Sequence, residues 1–217
     1  LHLQYTDFKK LKLMYNETGD SYVIDYGVDD QRRKSILQSS NEIVETRYYF
    51  GNYEETCDVN GHVKKIHYLS GGAMLVIDDA GERMYYGYRD YQGSLLAMAG
   101  ADGIVCERYA YDPWGKRVKS NDWIVTDTRS GFLTNRGYTG HEHIDWGDQT
   151  LINMNGRVYD PYTAMFYSPD PFIQAPDNWV NYNRYAYCMN NPFKYTDPSG
   201  EFAWVPFAIA AVVGGVT

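Results

Sequence analysis

The sequence predicts a mostly β protein: short hairpins that stack into an extended sheet, then a Pro-rich irregular block and a short apolar C-terminal segment. Three observations predict it. Tyrosine supplies 22 of the 217 residues and aromatic residues make up 16%; these side chains suit a pleated, half-buried surface and are what disordered chains lack. Turn dipeptides separate short runs at Asn60-Gly61, Ala80-Gly81 and Asp102-Gly103. No long stretch of 3.6-residue periodicity precedes residue 200, so no long helix is expected there.

The hairpins follow in chain order. Asn60-Gly61 divides 53–59 from 62–69, Ala80-Gly81 divides 73–77 from 82–88, and Asp102-Gly103 divides 94–99 from 104–111. Asn-Gly and Asp-Gly favour the positive φ of two-residue type I′ turns. The apolar alternation changes phase at Lys64-Lys65, where a β-bulge is expected. Gln31–Gln38 is short and polar and reads as strand or turn.

A second regularity is tyrosine just ahead of Asp, Pro or Gly: Tyr26-Gly27-Val28-Asp29, Tyr111-Asp112-Pro113-Trp114-Gly115, Tyr159-Asp160-Pro161 and Tyr195-Thr196-Asp197-Pro198-Ser199-Gly200. In Asp-Pro-x-Gly, Asp bonds the backbone ahead of it, Pro presets φ and Gly closes the turn. The tyrosine ring anchors the strand end. Such units cannot bury a face singly and must stack. Residues 1–125 are therefore read as a repeat region. From Thr126 to Asp148 the pattern breaks into a polar connection, and Leu151–Gly200 holds six of the eight prolines, so 126–200 is read as a bent terminal block. Phe202–Thr217 carries no charge and, at 16 residues, falls short of the ~20 that span a bilayer as a helix. Region 201–217 is thus either the start of a buried helix or next domain, or a membrane-active segment.

A formal net charge of −8 disfavours wrapping of a phosphate backbone, so no nucleic-acid partner is expected. Three cysteines allow at most one disulfide, and the apolar or aromatic neighbourhoods of Cys106 and Cys188 favour inert buried thiols. The chain opens at Leu1 without Met or signal peptide, as expected of a piece of something longer. No phosphate-cradling loop or Gly-x-Ser-x-Gly elbow occurs, and no cofactor is expected. His141 and His143, two apart and near Asp145, could share one face of a strand as metal ligands, but no third ligand is evident and a polar hydrogen-bonded turn is the preferred reading. Trp114, Trp123 and Trp179 could stack on sugars; packing between strands is preferred.

Several ordered motifs resemble a known family. Tyr88-Arg89-Asp90-Tyr91-Gln92-Gly93, Asp102-Gly103 and Tyr111-Asp112-Pro113-Trp114-Gly115 resemble the signature of Rhs/YD-repeat proteins. Thr139-Gly140-His141-Glu142, Asn155-Gly156-Arg157-Val158-Tyr159-Asp160-Pro161, Ser168-Pro169-Asp170-Pro171, Asn183-Arg184-Tyr185-Ala186-Tyr187, Asn190-Asn191-Pro192 and Asp197-Pro198-Ser199-Gly200 resemble the Rhs-repeat-associated core of polymorphic toxins. The resemblance implies part of a spiral β-shell that encapsulates its own C-terminal toxin, with 126–200 as the Rhs-associated core that plugs it and 201–217 as the start of the variable effector region. It implies a secreted or cell-surface protein, delivery by a secretion apparatus, and an immunity protein as a further partner. A membrane contact would be confined to Phe202–Thr217.

In that family the toxin is cut free by two aspartates. Carried over, they fall on Asp170 and Asp197, 27 positions apart, with the cut between Glu201 and Phe202. Paired carboxylates suit this chemistry, because two close charges resist joint ionisation: one stays protonated as acid while the other activates water. The chain departs from the pattern in three places. Glu201 stands where Leu is usual, Pro169 stands where some members carry Arg, and Ala164-Met165 replace Gly-Arg. An anion at the scissile position repels a carboxylate dyad. The alternatives are an autoprotease as the main activity, and a surface adhesin or carbohydrate-binding module.

Overall fold

The computed structural model describes residues 1–146, 149–173 and 176–203. Most of the apolar C-terminal segment (204–217) lies outside the described residues. What is described is antiparallel β structure with a few single 3-10 turns. The strands β1 (His2–Tyr5), β2 (Leu11–Tyr15), β3 (Ser21–Tyr26), β4 (Arg32–Ser39), β5 (Glu42–Phe50), β6 (Tyr53–Asp58), β7 (Val63–Tyr68), β8 (Ala73–Asp78), β9 (Gly81–Arg89), β10 (Leu95–Gly100) and β11 (Val105–Arg108) are hydrogen-bonded in sequence order. Of Gln31–Gln38, all but Gln31 lies in strand β4. Contacts divide the chain into two compact units, Leu1–Tyr88 with Ala97–Glu107, and Arg89–Leu96 with the chain from Arg108 on.

The first unit buries one face of its meander, as period-2 alternation requires. Tyr49 opposes Glu54, Glu54 opposes Ile66 and Ile66 opposes Val76 across four strands, and all four side chains are buried. The row admits a charge because it is paired. Arg47 donates to Glu45 at 2.9 Å and lies 3.8 Å from Glu54, which also accepts the Tyr68 hydroxyl at 3.0 Å. Cutting such a pair leaves a buried charge and costs about 3–5 kcal/mol.

Two local expectations are corrected. There is no bulge at Lys64-Lys65: the ladder runs unbroken from Cys57↔Val63 to Tyr53↔His67. Lys64 shares the face of Ile66 instead, and burial lowers its pKa, with Arg47 nearby acting the same way. Nor are the hairpin turns type I′. Gly61 has φ +81 and Gly103 has φ +78, whereas Asn60 and Asp102 keep negative φ. Gly61 N–H donates to Asp58 O and Asp58 N–H to His62 O, which is a type I turn closed by a left-handed residue. The Asp58 carboxylate selects this form by accepting the N–H groups of Asn60 and His62. Asp90 and Asp112 hold the same turn, closed by Gly93 and Gly115. The repeat is thus a repeated Asp-capped turn.

The second unit holds two small sheets. One comprises β12 (Ala110–Tyr111), β13 (Arg117–Lys119) and β14 (Asp122–Thr126). The other comprises β15 (Glu142–Trp146), β16 (Gln149–Asn153), β17 (Val158–Asp160) and β18 (Met165–Phe166). Its core is aromatic: Tyr159 packs on Tyr187 and Phe166, and Tyr187 meets Tyr138. Tyr187 opens a 3-10 turn in which Cys188, Met189 and Asn190 all have positive φ. Cys188 is buried as expected, and burial drives its thiol pKa far up; Cys106 is exposed, contrary to expectation. Its strand, β11, leaves three of its four residues exposed. Trp123 and Trp179 are also exposed rather than packed between strands.

Candidate functional site

The site grows from two turns pressed together. Asn155 (φ +66) and Gly156 turn the chain from β16 into β17, and Gly156 N–H donates to Ser199 O at 2.9 Å. Opposite lies the turn Asp197-Pro198-Ser199-Gly200. Gly200 has φ +73, and a Cβ there would sit 2.2 Å from Met154 O. No side chain fits, which is why the second turn ends in glycine.

Arg157, first residue after the Asn155-Gly156 turn, reaches from one turn to the other. Its Nη2 donates to Asp170 Oδ2 at 3.1 Å and to Asp197 Oδ2 at 3.2 Å. Its Nη1 donates to Arg184 O at 3.2 Å, and its Nε to Gly200 O. The guanidinium stacks 3.7 Å from the centroid of Phe166. Burial lowers the Arg157 pKa, opposed by the charges of Asp170 and Asp197. The two predicted carboxylates are therefore brought onto one nitrogen. In the sequence Arg157 stands inside the Asn155–Pro161 motif with no role evident from its neighbours. The available signal was a cation fixed by a Gly turn ahead and an Asp-Pro turn behind.

Asp170 stands between two prolines. Its N–H donates to Arg184 O at 2.7 Å, Arg184 Nε returns a bond to Asp170 O at 2.6 Å, and its Oδ1 accepts Phe172 N–H at 2.8 Å. Burial raises its pKa above the usual 3.8, and the charge of Asp197 adds to the rise while Arg157 opposes it.

Asp197 is buried, and its Oδ1 accepts the N–H of Glu201 at 3.0 Å and of Phe202 at 2.9 Å. The carboxylate thus touches the nitrogen of the expected scissile bond. A polar cavity of about 20 Å³ lies among Arg157, Asp170, Asp197, Cys188 and Ala203. One water needs roughly 10–15 Å³ by this measure, so it has room for a single molecule. The Glu201 side chain lies against Gly156, where a Cβ would meet its Cγ at 2.6 Å.

The histidines take separate roles. His141 Nε2–H donates to Asp197 O at 2.9 Å, while His143 Nε2 accepts Tyr138 N–H at 3.0 Å. Burial pushes the His143 pKa well below 6.5 and keeps it neutral. Each Nε2 is committed to backbone. His141 is instead a fixed support beneath Asp197. Asp112 and Asp160 are turn caps: Asp160 Oδ1 accepts Tyr162 N–H at 2.8 Å.

No family model matches the chain. It is 28% identical over 182 residues to the tRNA3(Ser)-specific nuclease WapA of Bacillus spizizenii, covering 81% of this chain and 7% of that protein. It is 26% identical over 212 residues to salivary gland surface protein 1 of Aedes aegypti, covering 89% of this chain and 6% of the other. Among solved structures, TcdB2-TccC3 without its hypervariable C-terminal region matches with a TM-score of 0.70 and 20% identity, over 91% of this chain and 10% of the other. The Photorhabdus luminescens Tc holotoxin pore matches equally, with a TM-score of 0.70 and 16% identity, over 93% and 10%. The chain therefore shares its mostly β antiparallel fold with these toxin assemblies. The likenesses support the Rhs/YD-repeat resemblance, and the chain spans a tenth or less of the length of the relatives it matches.

Proposed function

We propose that this chain is the closing part of an Rhs-type shell that houses and presents an effector encoded downstream of residue 200. One observation carries this reading: the chain is clamped at Gly200–Phe202, where the charged, Tyr-rich sequence ends. Asp197 holds two successive backbone N–H groups there and Arg157 holds the Gly200 carbonyl. The resemblance to WapA and the TcdB2-TccC3 fold support a toxin-related protein. Secretion or surface exposure, an immunity protein and a delivery apparatus belong to the same reading. The test is limited proteolysis of the longer protein. A downstream region resistant in the native shell and digested on opening it supports the proposal; one freely digested throughout overturns it.

A second reading is favoured by the 2.9 Å contact between Asp197 and Phe202 N–H: a single hydrolysis of Glu201–Phe202 by the carboxylate pair. Asp197 takes a proton from water, whose oxygen bonds to the Glu201 carbonyl carbon. Asp170, whose pKa burial raises, is the acid of this reading: in its protonated form it supplies the proton that reaches the Phe202 nitrogen, the atom Asp197 Oδ1 touches, as the C–N bond breaks. Mass spectrometry of the longer protein tests this. A break at Glu201–Phe202 that vanishes in Asp170→Asn is expected, and an intact chain sinks the reading.

A further inference from the structure

Away from the clamp, the second unit contains an open cavity of about 510 Å³. That volume lies within the ~300–1,000 Å³ of small-molecule sites. Its mouth is aromatic: Trp123, Tyr91 and Phe193 are 70%, 55% and 65% exposed. Soluble proteins seldom leave such rings open together without an occupant. Tyr91 is held in place by its hydroxyl, which donates to the Phe193 backbone carbonyl at 2.8 Å.

The polar groups define the chemistry. Asp90 and Asp112 line the cavity, and each spends only Oδ1 on its own turn, so each keeps an acceptor oxygen without a partner among the described residues. Arg108 and Ser120 line the same cavity and keep side-chain donors without partners among the described residues. Unpaired acceptors, unpaired donors and flat aromatic faces occur together. A polyanion is opposed by the two carboxylates and a simple cation by the guanidinium. A polyhydroxylated ring answers all three features: its hydroxyls donate to carboxylates and accept from Arg and Ser, and its C–H face lies on an aromatic ring.

We propose that this cleft binds a neutral oligosaccharide, with Trp123 and Tyr91 as stacking platforms and Asp90, Asp112 and Arg108 as hydroxyl partners. The site is separate from the carboxylate pair, so it stands or falls independently of the shell and cleavage readings. The experiment is calorimetric titration of the full chain with cello-, malto-, chito- and manno-oligosaccharides, with tetramethylammonium as a probe for cation binding. Saturable binding of at least one sugar is expected. It should weaken tenfold or more in Trp123→Ala and in Arg108→Ala, and stay unchanged in Trp179→Ala, whose exposed ring lies outside the cleft. Trp123 and Arg108 are exposed side chains, so their truncation leaves the core intact, which circular dichroism checks. Asp90→Asn and Asp112→Asn keep the turn-capping oxygen and remove the charge, separating sugar recognition from folding. Silence across the sugar panel, sugar binding that survives Trp123→Ala, or binding of tetramethylammonium in place of sugar each overturns the proposal.

Discussion

Arg157 and Asp197 meet at 3.2 Å, guanidinium nitrogen to carboxylate oxygen, and both side chains are buried. The same nitrogen holds Asp170 at 3.1 Å. The cation therefore ties a turn in the middle of the terminal block to the turn at its end.

Removing that cation leaves two largely buried carboxylates without their shared partner. Arg157→Ala should cost about 3 kcal/mol of stability, by analogy with other broken buried pairs. Arg157→Lys should recover only part, because a point charge cannot serve both carboxylates and two carbonyls at once. Urea denaturation of the three proteins measures this, and equal midpoints would remove Arg157 from its central position.

Cleavage of the longer protein should depend on pH through Asp170. Its pKa is raised above 3.8 in the folded state, chiefly by burial. The acid form therefore persists below the raised value and is lost as pH rises through it, so the rate should fall on the alkaline side. The linked stability has the same sign, greater below the raised pKa and lost above it. A rate that climbs with pH would contradict Asp170 as the acid.

Glu201 places an anion at the expected scissile bond, its side chain against Gly156. Replacing it by Leu should speed cleavage on the order of tenfold, which corresponds to about 1.4 kcal/mol. Time courses of Glu201→Leu against the parent chain, read by mass spectrometry, check this; an unchanged rate shows that the anion is harmless where it lies against Gly156.

Gly200→Ala should open the clamp. The new methyl meets Met154 O on a backbone already at φ +73. A loss of about 2 kcal/mol or more is expected from clash and left-handed strain together. Faster proteolytic nicking near 197–202 would report the opening.

Ala164 has the opposite problem. It sits at φ +58, where glycine is at ease and alanine is strained by roughly 1–2 kcal/mol. Ala164→Gly should stabilise the chain by about 0.5–1 kcal/mol after the greater entropy of the unfolded glycine is allowed for. A lower melting temperature would refute the strain argument.

Much of this was legible in the residues. Asp112 announced its turn because an Asp cap acts on N–H groups two and four residues away, and such local chemistry is written in local spacing; the same caps at Asp58 and Asp90 came to light only in the structure. Tyr26, Tyr111 and Tyr159 announced strand ends for the same reason. The turn type was not legible. Asn-Gly permits type I′, and the Asp58 carboxylate tips the balance to type I by bonding Asn60 and His62. The phase break at Lys64-Lys65 misled because a lysine can lie on a buried face with its ammonium among Glu45 and Asp78.

By itself the sequence determined the β class and the Asp-Pro-x-Gly turns, while its resemblance to Rhs/YD-repeat proteins marked Asp170, Asp197, Glu201 and Phe202 as a set. The tertiary structure decided what surrounds them: Arg157 between the two carboxylates, His141 beneath Asp197, and Asp197 on the Phe202 nitrogen. Turns and alternation depend on near neighbours. A shared guanidinium depends on groups 13 and 40 positions away, which meet only after two glycine-bearing turns have closed on each other.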